Sequence, residues 1–137
     1  MQYWLVKSEP FVYSWETFVA DGETCWSGVR NYLARNNLKA MKKGDMVMFY
    51  HSNEGLAVVG IAKVSKTHYP DPTIDDERWV AVDLKPHKAL KNPVALKTIK
   101  TEPRLKDIAL IRLNRLSVIP LTEQEFDTIL DLSTRKA

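Results

Sequence analysis

The sequence predicts an α+β domain built around a small, curved or partly closed and mostly antiparallel sheet, with helices on its flanks. Short apolar runs of β-rich composition recur along the chain and are separated by turn residues, as in the strands of a small sheet. Helical signals occur early in the chain and again at its end, without regular alternation with the strands. A length of 137 residues corresponds to one domain, and we expect residues 1–137 to fold as a single unit.

The first elements have clear local signals. Residues 3–7 predict a strand, which Pro10 ends. Ser14 is placed as the N-cap of a brief helix that runs to Ala20, and Gly22 lies just past its end. A second helix is predicted over residues 31–41.

The middle of the chain predicts a hairpin. Residues 45–50 are almost continuously apolar, which favours a central strand that is buried on both faces. Asn53-Glu54-Gly55 supplies a turn, and residues 56–64 form the antiparallel return strand. Gly60 within that strand indicates a bulge or a close backbone approach.

The last third is more irregular. Residues 69–72 predict a rigid extended connection, and residues 79–84 resume strand alternation. Residues 85–107 are lysine-rich and interrupted by proline, with a short helix near residues 95–100. Residues 115–120 predict a last strand, and the capping box that starts at Thr122 opens a final helix.

Composition excludes several classes of protein. The chain is 45% hydrophobic and 27% charged, a normal balance for a soluble domain, and no apolar run approaches the length of a membrane span. We therefore expect no membrane contact. The single cysteine, Cys25, offers neither a disulfide nor paired metal-ligand spacing, so we expect no metal, no cofactor and a reducing, cytoplasmic location.

The charge is mildly basic. Twenty Lys and Arg residues stand against seventeen Asp and Glu, for a formal net charge of +3. The cations concentrate at residues 39–43 and 85–115, where clustering can hold a phosphate backbone. Solvated lysines on separate loops would give the same pattern.

The most informative segment is Trp26-Ser27-Gly28-Val29-Arg30-Asn31-Tyr32. It combines an aromatic face, a flexible glycine, a guanidinium and an amide, which suit a site that stacks a flat ring and hydrogen-bonds its edge. The alternative is a loop whose tryptophan plugs the core and whose arginine begins a solvated helix.

Two strand ends add polar candidates. Tyr50, His51, Ser52 and Asn53 lie where the central strand ends, and Ser8 ends the first strand. The hydroxyl and amide groups suit the reading of a ring edge, but they suit a turn equally well. A lone histidine at a strand end is more often structural than catalytic.

Together these motifs resemble the EVE domain family over nearly the whole chain. The segments that carry the resemblance are Lys7-Ser8-Glu9-Pro10, Trp26-Ser27-Gly28-Val29-Arg30-Asn31-Tyr32, Ala34-Arg35-Asn36, Gly44-Asp45, Phe49-Tyr50-His51-Ser52-Asn53, Gly60-Ile61-Ala62, Tyr69-Pro70-Asp71-Pro72 and Leu116-Ser117-Val118. The resemblance implies a PUA-like fold, a curved and partly closed β-barrel related to the YTH modules. It also implies a non-catalytic pocket for a modified nucleobase, with a preference for modified cytosine in DNA.

The resulting hypothesis is that a flipped base enters an aromatic slot. Trp26 and Tyr50 provide the stacking surface, and Val29 an apolar wall. Hydrogen bonding to the polar edges of the base is assigned to Ser8, Asn31, Ser52, His51 and Asn53. Phosphate binding is assigned to Arg30 and Arg35.

Two alternatives remain open at this stage. One is a PUA-like module that binds structured or modified RNA. The other is a nucleotide-processing enzyme that uses Glu9 and His51, although no nucleophile motif, metal spacing or glycine-rich phosphate loop supports it. We therefore assign no catalytic residue.

Overall fold

The six strands of the computed structural model, which describes residues 1–134, form a single sheet in the order β2-β5-β4-β3-β1-β6. The strands are β1 (Tyr3–Ser8), β2 (Thr24–Trp26), β3 (Met46–His51), β4 (Ala57–Pro70), β5 (Val80–Ala95) and β6 (Val118–Leu121). The helices are α1 (Trp15–Asp21), α2 (Tyr32–Ala40), α3 (Leu96–Thr101), α4 (Ala109–Arg112) and α5 (Glu123–Thr134), with a 3-10 turn at Pro103–Leu105.

The sheet is mixed but mostly antiparallel, as predicted. Strands β1 and β3 pair in parallel, and the other neighbours pair antiparallel. The partly closed barrel is not confirmed, because among the described residues β2 and β6 are the two edges of the sheet and no pairing joins them. The sheet is nevertheless irregular: the register of β4 against β5 shifts at several points, and such shifts bend and twist a strand pair.

Local signals placed the helices well. The Ser14 side chain accepts a hydrogen bond from the Thr17 N–H, and Gly22 ends α1 with a left-handed backbone at φ 76°. The Asn31 side chain caps α2 by accepting from the Ala34 N–H. Thr122 and Glu125 form the reciprocal bonds of a capping box at the start of α5.

The observed strands differ from the predicted ones, because pairing between distant segments sets where they begin and end. Strand β2 was missed, β4 extends into the segment predicted as a rigid connection and ends at Pro70, and β5 runs through Pro86 and Pro93. Both prolines are tolerated because the β4–β5 register is irregular. The register shifts next to the pair that contains Pro86, and Pro93 has no partner in β4, since the pairing passes from Ala89 to Val94.

The core covers both faces of the sheet, because consecutive residues of β1 and β3 are buried. One part of it centres on aromatic rings. Phe18 of α1 stacks on Phe49 of β3 with centroids 5.4 Å apart, and Trp15 meets both rings edge-on. Gly60 lies under the Trp15 indole beside a register shift in β4, so both features predicted for this glycine are present. A Cβ at position 60 would come within 2.5 Å of Trp15 ring atoms.

We therefore expect Gly60→Ala to lower the free energy of unfolding by about 1–3 kcal/mol, the usual cost of overpacking a core. Urea denaturation measures this loss. In a Trp15→Leu background the added methyl has room, so the same change should cost less. An equal loss in both backgrounds would place the damage in the backbone and not in the ring contact.

Candidate functional site

A cavity of about 760 Å³ opens at one end of the sheet. Its walls come from residues 7–9 at the end of β1, residues 12 and 13, residues 24–31 of β2 and the loop after it, and residue 117 before β6. Strands β2 and β1 stand near opposite ends of the strand order, so the curl of the sheet brings them face to face. The cavity therefore occupies the gap where the sheet fails to close.

Trp26 forms the aromatic wall. Its indole is half-buried and meets Phe49 edge-on with centroids 5.7 Å apart, while Tyr13 packs edge-on at 6.4 Å. These contacts fix the ring against the core, and the residue still lines the cavity. Trp26 therefore packs on the core and also presents surface to the cavity.

The loop that follows Trp26 is tied to a buried carboxylate on another segment. Asp71 Oδ2 accepts hydrogen bonds from the Gly28 N–H at 2.8 Å and from Arg30 Nη1 at 2.9 Å. Its Oδ1 accepts from the N–H and the hydroxyl of Thr73. Gly28 has φ 81°, a conformation that glycine adopts without strain. The shape of this wall therefore depends on a carboxylate and a glycine.

The same bonds set the charge of Asp71. Burial by itself would raise the pKa of this carboxyl, but hydrogen bonds from Thr73, the Gly28 N–H and Arg30 together lower the pKa well below its ordinary value. Asp71 is consequently an anion that balances the Arg30 guanidinium at the cavity wall.

Polar groups on the opposite wall are also held in place. Ser8 Oγ donates to the Tyr13 carbonyl, so its oxygen is available to a ligand as an acceptor. Lys7 Nζ donates to the Asn114 carbonyl at 2.8 Å, and burial lowers the pKa of this amine. The wall combines a positioned hydroxyl with a partly desolvated amine.

The sequence-based assignments divide into two groups. Trp26, Val29, Arg30, Asn31 and Ser8 come together around the cavity. In addition, Val29 is buried, and the Oδ1 atom of Asn31 accepts the capping bond of α2, a bond that does not use its amide nitrogen.

The residues at the end of β3 lie elsewhere. Tyr50 is only 3% exposed and belongs to the core, and none of Tyr50, His51, Ser52 and Asn53 lines the cavity. His51 Nε2 accepts from the Trp15 N–H at 3.1 Å, and burial lowers the pKa of this imidazole, opposed more weakly by Glu16. A stacking role for Tyr50 is therefore not compatible with this geometry.

The next two residues support the site from behind. The Ser52 N–H donates to the Ser8 carbonyl at 2.9 Å, so this segment holds the end of β1. Asn53 occupies the turn with φ 71°. Neither side chain lines the cavity.

Arg35 also lies outside the cavity, in a stack of side chains on the neighbouring surface. Its guanidinium carbon lies 5.0 Å from the Tyr32 ring, and Tyr32 stacks on Trp79 at 5.1 Å. Arg30 lies over the other ring, 5.7 Å from the Trp79 centroid. This stack fastens the start of α2 to the segment that contains Asp71.

Sequence reasoning missed other residues of the wall. Val12, Tyr13, Thr24 and Ser117 reach the cavity only through the tertiary fold. The sequence offered one signal for Ser117, namely its place in the family motif Leu116-Ser117-Val118. A three-residue strand such as β2 leaves too little pattern to reveal Thr24.

The fold and the cavity together define a small α+β domain with an aromatic-walled recognition cleft. A model of the EVE domain matches residues 2–132. The chain therefore belongs to the EVE domain family.

Several known proteins are similar to it. Mouse thymocyte nuclear protein 1 is 38% identical, over 95% of this chain and 73% of that protein. Protein Atu2648 of Agrobacterium tumefaciens matches with TM-score 0.96 at 47% identity, over 98% of this chain and 94% of that one. Human THYN1, solved in complex with DNA that contains 5-methylcytosine, matches with TM-score 0.94 at 34% identity, over 100% of both chains.

A more distant likeness concerns the fold alone. The YTH domain of Zygosaccharomyces rouxii MRB1, solved with N6-methyladenosine RNA, matches with TM-score 0.58 at 15% identity, over 99% of this chain and 88% of that one. The expected relation to YTH modules is thus present at the level of fold.

Residues 1–134 lack two features. No helix in that range is long and apolar enough to span a bilayer. The same range contains no group of three His, Cys, Asp or Glu side chains arranged to hold a metal ion.

We expect Asp71→Asn to lower the free energy of unfolding by about 2 kcal/mol, because hydrogen bonds to a charged group are lost at a buried position. Urea denaturation measures the change. Asp75→Asn removes an exposed carboxylate from the same segment and should change stability by less than about 0.5 kcal/mol. Equal effects of the two substitutions would contradict the anchoring role.

The pH dependence of this difference has a defined sign. The pKa of folded Asp71 lies below its ordinary value of 3.8, so the stabilisation is fully present above that pH and is lost as the pH falls through the folded pKa. The stability gap between the native protein and Asp71→Asn should therefore be constant near neutral pH and shrink only in acid.

Proposed function

We propose that this chain binds DNA that carries a modified base and takes the flipped base, a modified cytosine, into the cavity. The observation that carries the proposal is the half-buried Trp26 ring on the wall of a cavity with positioned polar groups. Support comes from the likeness to human THYN1, which was solved in complex with 5-methylcytosine-containing DNA.

The energetics favour selectivity for the modification. Extraction of a base from a duplex costs a few kcal/mol, and stacking on an aromatic ring returns about 1–3 kcal/mol. Because these terms nearly cancel, one methyl group in an apolar niche, worth about 0.8 kcal/mol, decides much of the balance. Val29 supplies an apolar wall for such a niche.

Each side chain on the wall has a proposed role. Trp26 stacks on the base, while the Ser8 oxygen and the Asn31 amide nitrogen bond to its polar edge. Arg30, whose charge Asp71 balances, holds the wall in shape. Lys7 contributes positive charge at the cavity, and Arg35 meets phosphate on the neighbouring surface. The mechanism is binding without catalysis, so incubation with modified nucleosides or oligonucleotides should give no product.

Trp26→Ala should abolish binding to an oligonucleotide with 5-methylcytosine, because it removes the stacking face and leaves the fold intact. Fluorescence anisotropy measures affinity, and circular dichroism verifies folding. Tyr3→Ala is the matched control, since this half-buried aromatic lies at the other end of β1, against Phe126, and does not line the cavity. Unchanged affinity in a folded Trp26→Ala protein would refute the assignment.

Competition at two salt concentrations separates DNA from RNA as the partner. The phosphate contribution weakens as salt increases, whereas recognition of the base in the cavity persists. We expect the preference for modified over unmodified DNA to survive at the higher salt. A modified RNA that outcompetes the matched DNA under both conditions would favour an RNA-binding module instead.

A further inference from the structure

The loop between β1 and α1 exposes two adjacent apolar side chains beside the cavity. Phe11 and Val12 are 81% and 76% exposed, and Phe11 is the most exposed large apolar residue in the range 1–134. Val12 also lines the cavity. The pair therefore stands at the rim of the opening through which a base would enter.

The backbone that carries them is fixed. The N–H groups of Val12 and Tyr13 both donate to the Glu9 carbonyl, at 2.9 and 2.8 Å. Tyr13 is held further, because its carbonyl accepts from the Ser8 hydroxyl and its own hydroxyl donates to Asp21 at 2.8 Å. The two side chains thus project from a hydrogen-bonded turn and contribute little to the core.

We propose that Phe11 and Val12 form a wedge that enters the base stack of duplex DNA and fills the space left by the flipped base. The inference rests on the proposed function. A base that leaves the stack opens a gap between its neighbours, and proteins that deform duplexes insert apolar side chains at such steps.

Position and charge both favour a duplex as the occupant. Val12 borders the same cavity that receives the base, so the wedge and the cavity meet at one opening. Lys7 and Arg30 line this cavity too. Because Asp71 balances the charge of Arg30, Lys7 supplies the net positive charge that attracts the phosphates of a duplex. A wedge acts only where a stack must be opened, so it should matter for duplexes and not for single strands.

The test compares Phe11→Ser with the native protein on a duplex and on the matching single strand, each with one 5-methylcytosine. Affinity for the duplex should fall about tenfold, the size expected for one lost stacking contact, while affinity for the single strand stays unchanged. The loss should shrink when the modified cytosine lies in a mismatch, because the pair is then already broken. Phe11→Leu keeps an apolar wedge and should retain most of the affinity.

Val19→Ser is the matched control, since it removes an exposed apolar side chain from α1 that does not line the cavity. It should leave both affinities unchanged. Equal losses of Phe11→Ser on duplex and single strand would assign the loop to the cavity wall, and no loss on the duplex would also overturn the wedge. Failure of the native protein to prefer modified DNA would refute the proposed function itself.

Discussion

The buried carboxylate of Asp71 is the constraint on which the site depends. It joins the loop after β2 to the loop between β4 and β5, which are far apart in the chain, through the Gly28 N–H and the Arg30 guanidinium. Without this acceptor, the Gly28 N–H and the Arg30 guanidinium would lose their hydrogen-bond partner, and the loop would not be restricted to one conformation. Trp26 lies two residues before Gly28 and Val29 directly follows it. The carboxylate therefore helps to position the aromatic and apolar walls of the cavity.

The second constraint is the incomplete closure of the sheet. Irregular register between the long strands β4 and β5 bends the sheet until β2 approaches β1, but no backbone hydrogen bonds join them. A fully closed barrel would fill this gap with paired backbone. The open gap instead leaves side chains of both strands facing one space, which explains why a cavity lies here and why its walls come from segments distant in sequence.

Sequence reasoning succeeded where the determinants are local. The cap at Ser14 and the capping box that starts at Thr122 are short-range signals, and the structure places both as predicted. It failed for β2 and for the full length of β5, because only long-range pairing makes those strands. Tyr50 shows a different limit within the site. Strand β3 pairs with β1 without a register shift, so Tyr50 lies on the face opposite to Phe49, the ring that contacts Trp26. The sequence alone does not show which of these two faces borders the cavity.

The contacts behind the cavity wall bear on affinity as well as on shape. Phe49 and Tyr13 hold Trp26, the Ser52 N–H holds the end of β1, and Asp71 holds Gly28, all through contacts within the protein. When the cost of base extraction and the gain from stacking nearly cancel, any further cost of ordering the wall would remove the net affinity. A wall that is already ordered avoids this cost, so a difference as small as one methyl group can determine which base is retained.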